Sequence, residues 1–212
     1  RTREAPALAL ALVIFVTMFA SKSTFRNFDN LWQIGQQAGI LGIIACGEAL
    51  VILTGGVDLS VGAIAAMAAC VAGGRMNAGA PWPLAVLMGL GAGLLGGWIN
   101  GALISYRKLT PILTTLATLL GFRAFTNIMT GAIPYTPLST GFTRFASTIG
   151  PILVVAIVVV TLAIVLARVR FGRRIVAIGS NEQAVRLSGI STDAVTRRVY
   201  TLSGLLAASA GI

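Results

Sequence analysis

The chain has no histidine, six acidic residues and two cysteines among its 212 residues. Without histidine it lacks the side chain that most often serves as a general base or metal ligand near neutral pH. Cys46 and Cys70 each lie inside an apolar run and form no Cys-x-x-Cys, so they read as small helix-packing residues rather than a disulfide or metal pair. No Gly-x-x-x-x-Gly-Lys-Ser/Thr phosphate loop and no nucleophile elbow occur. Catalysis and metal binding therefore have no foothold, and the chain is expected to be no enzyme and to hold no metal or cofactor of its own. Charge is scarce too: 10% of residues are charged, against roughly 25% in a soluble domain. The net charge of +10 does not read as a nucleic-acid footprint. No basic stripe is interleaved with aromatics, and the arginines sit beside the ends of apolar segments.

What the chain does have is apolar length. Apolar residues make up 56% of it, and several runs approach or exceed the roughly 20 residues needed to cross a bilayer. The expected fold is all-α: a polytopic transmembrane helical bundle of about six full spans plus the start of a seventh. Residues 1–212 read as one transmembrane domain.

The first run, Ala5 to Ala20, follows a basic start that a signal peptide would share. We read it as a membrane helix, because no soluble domain follows for export. Ser21 to Gln36, polar and aromatic, suits an interfacial loop. Further runs cover Gln37–Leu53, Leu59–Gly74, Trp82–Tyr106, Thr110–Ile133 and Ile149–Ala167, and Val199–Ile212 begins the last. Pro134 to Ser147 reads as a loop. With the N-terminus in the cytoplasm, alternation places eleven of the sixteen basic residues inside, seven of them within 168–198. The excess of Lys and Arg in cytoplasmic loops favours that orientation over its opposite.

One stretch organises the rest. Leu53 to Gly62 reads Leu-Thr-Gly-Gly-Val-Asp-Leu-Ser-Val-Gly between two apolar runs. Gly55 and Gly56 favour a tight turn, and Asp58 and Ser60 fall where helix N-caps belong. The stretch is either a break between two membrane helices, with Asp58 accepting from the next helix's free amides, or a capped turn with no further role. Glu48 and Arg123 are the ionisable residues well inside apolar spans. A charge at the bilayer centre costs about 3 kcal/mol or more, so each should face protein or water. They either form a pair joining two spans, or Glu48 lines a pathway, or each snorkels to an interface. Gly89, Gly93, Gly97 and Gly101 recur every four residues, as do Gly62, Ala66, Cys70 and Gly74, the pattern of close helix–helix seams. Within Phe171–Arg198, Ser180-Asn181-Glu182 is placed to cap a short helix over Gln183–Ser188, and Gly189 to end it. Such a helix is either a plain interfacial connector or a docking knob for a cytoplasmic partner.

The stretch Gly47-Glu48-Ala49-Leu50-Val51-Ile52-Leu53-Thr54-Gly55-Gly56-Val57-Asp58-Leu59-Ser60-Val61-Gly62 resembles the hallmark of ribose-type ABC sugar importer permeases, in the simple-sugar and branched-chain amino acid permease family. Gly172-Arg173-Arg174, Ala177 to Glu182, Ala184 and Arg186 to Ile190 resemble that family's cytoplasmic coupling loop, here 168–198, and Ser203 to Ile212 resembles the span that follows it. The resemblance implies the membrane-spanning subunit of an ATP-driven importer that carries a ribose-like pentose, a hexose or a related polyol into the cytoplasm. It implies a homodimeric pore in a bacterial cytoplasmic (inner) membrane and an external sugar-binding protein. It also implies a pair of cytoplasmic ABC ATPase subunits that bind the ATP and Mg. By the same likeness Asn181, Glu182, Ala184, Arg186 and Gly189 would contact the ATPase. Thr54, Gly55, Gly56, Asp58 and Ser60 would shape the broken-helix region near the pathway. Family chains continue with more spans, so the sequence resembles the N-terminal two-thirds of such a permease. A secondary transporter with broken helices would share the mid-membrane acid, and an integral-membrane enzyme is the rival from another class.

Overall fold

A computed structural model of the chain describes residues 5–136, 139–148 and 150–212. The starts of the first run's basic leader (1–4) and of the run at Ile149, and two positions of the 134–147 segment (137 and 138), lie outside the described residues. The chain divides into two compact units, one within the first 39 residues and one over 40–212.

In the first unit, α1 (Ala5–Ser21) buries no residue and is followed by a 3-10 turn over Ser23–Arg26. Phe15 stacks on Phe19 and meets Phe25 edge-on at 5.5 Å. The expected interfacial loop is largely helical instead, because α2 (Phe28–Leu53) already begins at Phe28. The side chain of Asn27 accepts the Asp29 N–H at 3.0 Å, an N-cap contact, and Phe28 and Trp32 stack one turn apart. Polarity there marks a helix start, not a loop.

The second unit holds the rest of α2 and seven further helices. These are α3 (Val61–Asn77), α4 (Trp82–Arg107), α5 (Pro111–Thr130), α6 (Thr140–Ser147), α7 (Gly150–Arg168), α8 (Arg170–Leu187) and α9 (Thr192–Gly211). Proline in the first turn suits α4 and α5, since those amides have no intrahelical acceptor. The expected loop before Ser147 contains α6, which Ser139 caps by accepting the Phe142 N–H. The expected cytoplasmic loop 168–198 is likewise mostly helix, since Ile175, Ile178 and Val185 bury one side of α8.

All seven apolar runs fall on helices. Among the described residues α2, α4, α5 and α7 are long and apolar enough to cross a membrane, and α1 and α3 are shorter apolar helices. Many large apolar side chains on them are exposed, such as Leu41, Leu113, Ile128 and Ile157, as expected where lipid is the solvent. The chain is an all-α polytopic membrane protein.

The glycine ridge of α4 is the main seam. A methyl added at Gly93 would strike Ala208 Cβ, and one at Gly97 would strike the Tyr200 carbonyl oxygen and lie 2.9 Å from Gly204 Cα. At Gly101 it would lie 2.7 Å from the Arg197 carbonyl oxygen, and at Gly89 2.7 Å from that of Ala68. Three of the four therefore seat α4 on α9, and Gly89 seats it on α3. The expected second ridge is not a seam within this chain. Gly62 and Ala66 are exposed, and α3 buries Ile64, Ala65, Ala68 and Ala72 instead. That face sits one to two residues round the helix, because Gly96 and Gly89 of α4 and Gly211 of α9 leave room for it.

Candidate functional site

Helix α2 ends in a turn that its sequence specifies in detail. The Gly56 N–H reaches back to the Val51 carbonyl at 3.1 Å and the Gly55 N–H to Ile52 at 2.9 Å, with Gly55 at φ 81°. This is a Schellman closure, and its left-handed position favours glycine. Gly56 is required for a second reason. A methyl there would lie 2.5 Å from the Tyr200 hydroxyl.

Beyond the turn, Val57–Ser60 is irregular backbone held by side chains from several helices. Glu48, two turns up α2, accepts the Asp58 N–H at 3.0 Å. Asp58 Oδ1 accepts both the Ser60 N–H at 2.9 Å and the Ser60 hydroxyl at 2.6 Å. Asn100 of α4 donates to Ser60 Oγ at 2.7 Å. The Val57 carbonyl receives longer contacts, 3.4 Å from the Tyr200 hydroxyl of α9 and 3.5 Å from Thr115 of α5. Asp58 is 2% exposed and Ser60 and Asn100 are fully buried. Polar groups at such depth depend on partners inside the protein, and the Asp58 and Ser60 N–H groups and the Val57 carbonyl have them, whereas Glu48 Oε2, Asp58 Oδ2 and Asn100 Oδ1 are buried with no hydrogen-bond partner among the described residues.

The break between helices is therefore present, but its polar residues work differently from expectation. Asp58 binds the residue before α3, not the first amides of α3, and Ser60 makes no capping bond: its hydroxyl donates to Asp58 and its oxygen accepts from Asn100. Glu48 engages the break and forms no pair with Arg123, which is exposed on α5. Among the described residues every ion pair involves Lys108 or Arg186.

The second feature lies below the first. α8 bends at Asn181, whose backbone leaves helical geometry (φ −160°, ψ 94°) and whose side chain accepts the Ala184 N–H at 3.0 Å. A short helix follows and closes with Gly189 at φ 81°, Gly189 bonding to Arg186 and Ile190 to Val185. Capping by Asn181 and termination at Gly189 match the sequence pattern. Glu182 Oε1 accepts from Arg186 at 2.9 Å and from the Thr192 hydroxyl at 2.9 Å. Asp193 pairs with Lys108, the left-handed last residue after α4, and lies 3.8 Å from Arg186. Exposed pairs of this kind contribute about 0–1 kcal/mol each, so their effect is to fix register rather than to add stability.

The two features share a polar cavity of about 340 Å³. Thr54, Gly55 and Gly56 of the turn line it together with Ser105, Lys108, Glu182, Arg186, Asp193 and Tyr200. A cluster of Leu50, Val51, Ile104, Ile175, Ile178, Val195 and Val199 packs around Tyr200. A methyl at Gly179 would strike the Leu53 carbonyl oxygen, so α8 touches the end of α2 directly.

Sequence reading missed Asn100, Thr115, Tyr200, Lys108, Thr192 and Asp193 as members of these sites. Asn100 had a usable signal: an amide inside an apolar span must be paired, and helix-to-helix pairing is its usual fate. Tyr200 and Asp193 had none, because only the α4–α9 crossing brings them to the turn.

Fold and site together define a polytopic helical membrane protein built on a broken helix and an adjoining capped helix. Residues 30–212 match the family described as branched-chain amino acid transport system / permease component, and the chain belongs to that family. It is 38% identical to the ribose import permease protein RbsC of Bacillus subtilis (strain 168), over 97% of this chain and 66% of that protein. It is 33% identical to the autoinducer 2 import system permease protein LsrC of Photorhabdus luminescens, over 99% of this chain and 65% of that one. With the ribose import permease protein RbsC of Escherichia coli (strain K12) it shares 34% identity, over 99% and 68%. The chain thus spans about two thirds of the length of these relatives. No solved structure matches it.

Proposed function

We propose that the chain is the membrane-spanning part of an ATP-driven importer for a monosaccharide or related polyol. The observation that carries this reading is the shared cavity: one wall is the broken helix, the other the capped helix 181–189 with its charged register. Relatives named as ribose and autoinducer 2 import permeases support a small polyhydroxylated cargo. On this reading residues 168–198 carry the cytoplasmic coupling element of an inner-membrane permease whose N-terminus is inside. Asn181, Glu182, Ala184, Arg186 and Gly189 meet the ATPase, which supplies the ATP and Mg chemistry. Thr54 to Gly56, Asp58 and Ser60, with Glu48, shape the pathway by architecture. A second copy of the permease and an external sugar-binding protein complete the assembly.

The test is reconstitution of the full-length permease with its ATPase and binding protein in proteoliposomes, reading ATP hydrolysis and sugar uptake together. Glu182→Arg replaces an acceptor of two bonds with a charge beside Arg186, and Gly189→Val strains a left-handed position. The double variant is expected to hydrolyse ATP with uptake reduced at least tenfold. Normal coupling at normal expression would make this helix a plain connector. Uptake that persists without ATP and collapses with an uncoupler would instead identify a secondary transporter.

A further inference from the structure

Four exposed arginines, Arg168, Arg170, Arg173 and Arg174, gather where α7 ends and α8 begins. Their depth in the membrane follows from packing. α7 has 19 residues, about 28 Å at 1.5 Å per residue, close to the roughly 30 Å of a bilayer's hydrocarbon core. Its Leu162 and Leu166 pack on the core, while Ile157 and Ile164 are 64% and 53% exposed, so one side of its length is open to lipid. Arg168, its last residue, then stands at an interface. The chain turns at Val169, and α8 folds straight back onto the end of α7. A methyl at Gly172 would lie 2.5 Å from Leu166 Cα and would strike the Val165 carbonyl oxygen. The guanidinium of Arg173 donates to the Arg168 carbonyl at 3.1 Å. Arg170, Arg173 and Arg174 flank that contact and share one face of α8 by their spacing, close to Arg168 at the corner.

These charges have no protein counter-ion among the described residues. In the unit over 40–212 the acids are Glu48, Asp58, Glu182 and Asp193. The first two are turned into the break, and the other two serve Arg186, Lys108 and Thr192. Val169 makes no side-chain cap, so the first amides of α8 add partial positive charge to the same spot. A guanidinium fork matches the paired oxygens of a phosphate. We propose that Arg168, Arg170, Arg173 and Arg174 form a binding site for the phosphate of an anionic phospholipid headgroup, pinning the α7–α8 corner to the membrane surface. A lipid source fits better than a free anion, because the site adjoins a helix face already turned to acyl chains. This inference is independent of the transport reading.

The experiment uses the full-length permease in mixed micelles and measures association of phosphatidylglycerol relative to phosphatidylcholine by spin-label competition. Wild type is expected to prefer phosphatidylglycerol. R170Q/R174Q, which spares the Arg173 bond to Arg168, should lose one order of magnitude or more of that preference, at about fivefold per arginine. R75Q/R144Q, which removes equal charge from exposed positions elsewhere, should leave it unchanged, and R170K/R174K, which keeps the charge but loses the fork, should fall between wild type and R170Q/R174Q. The proposal is overturned if R170Q/R174Q binds phosphatidylglycerol as wild type does. It is equally overturned if inorganic phosphate at matched ionic strength displaces the lipid, which would reveal a small-anion site. Loss of a co-purifying protein partner with no change in lipid preference would assign the arginines to a docking face and overturn it as well.

Discussion

Asp58 is the residue on which the broken helix depends, and two substitutions separate what its oxygen does from what its charge does. Its Oδ1 accepts two hydrogen bonds from Ser60, which is fully buried. Asp58→Ala leaves the Ser60 N–H and hydroxyl without that acceptor at a site closed to water. Each orphaned donor costs about 1–3 kcal/mol, so the expected loss is about 2–6 kcal/mol. Asp58→Asn keeps an oxygen in the same place and both bonds, and forfeits only their charge assistance, about 1 kcal/mol. For a chain of this size about 1 kcal/mol moves the midpoint by roughly 2–4 °C. Heating full-length protein in detergent and following the monodisperse chromatographic peak should therefore show a fall of about 10 °C for Asp58→Ala and about 3 °C for Asp58→Asn. Equal falls would mean that the charge, not the acceptor, holds the break. No fall for Asp58→Ala would mean that the Ser60 bonds do not matter there at all.

Two further outcomes follow from the packing. Gly97→Ala should destabilise by about 1–3 kcal/mol or more in the same assay, because the added methyl meets backbone on α9, whereas Gly91→Ala, with nothing within 4 Å, should be neutral or slightly stabilising. Gly56→Ala should cost about 1–3 kcal/mol through its clash with the Tyr200 hydroxyl, and in a Tyr200→Phe background that cost should shrink, so the double variant loses less than the two singles combined.

Much of the fold was legible because bilayer solvent imposes simple rules on sequence. Each apolar run is a helix, the α4 glycines mark a seam, and the Gly55–Gly56 and Gly189 turns stand where their glycines sit. The misreadings share a cause. Polarity suggests loops at Ser21–Gln36 and 168–198, yet polar residues are equally at home in a helix whose other side is buried, as Ile175 and Ile178 show for α8. The α3 ridge misled because four-residue spacing of small residues says that a face can pack closely, not that it does. The Glu48–Arg123 pairing failed because two charges in different spans carry no information about which way their helices are turned. Glu48 instead accepts the Asp58 N–H, ten residues along its own chain.

The polar knot and the charged register meet through one rigid element. α4 carries Asn100 at the break and is followed directly by Lys108 at the Asp193 pair, eight residues or about 12 Å further on. Along that same helix Gly93, Gly97 and Gly101 lie flat on α9, with backbone at the closest approach of Gly97 and Gly101 and Ala208 Cβ at that of Gly93. Two polar contacts accompany this seam: the Asn100–Ser60 bond, between Gly97 and Gly101, and the Lys108–Asp193 pair beyond them. The first is buried and directional; the second is half-exposed and worth little on its own. Of the two, the Lys108–Asp193 pair is therefore the weaker restraint and the Asn100–Ser60 bond the stronger anchor of α4. The break thus concentrates its pairing on Ser60, which binds Asp58 through N–H and hydroxyl and accepts from Asn100, while Glu48 Oε2, Asp58 Oδ2 and Asn100 Oδ1 are buried around it with no hydrogen-bond partner among the described residues.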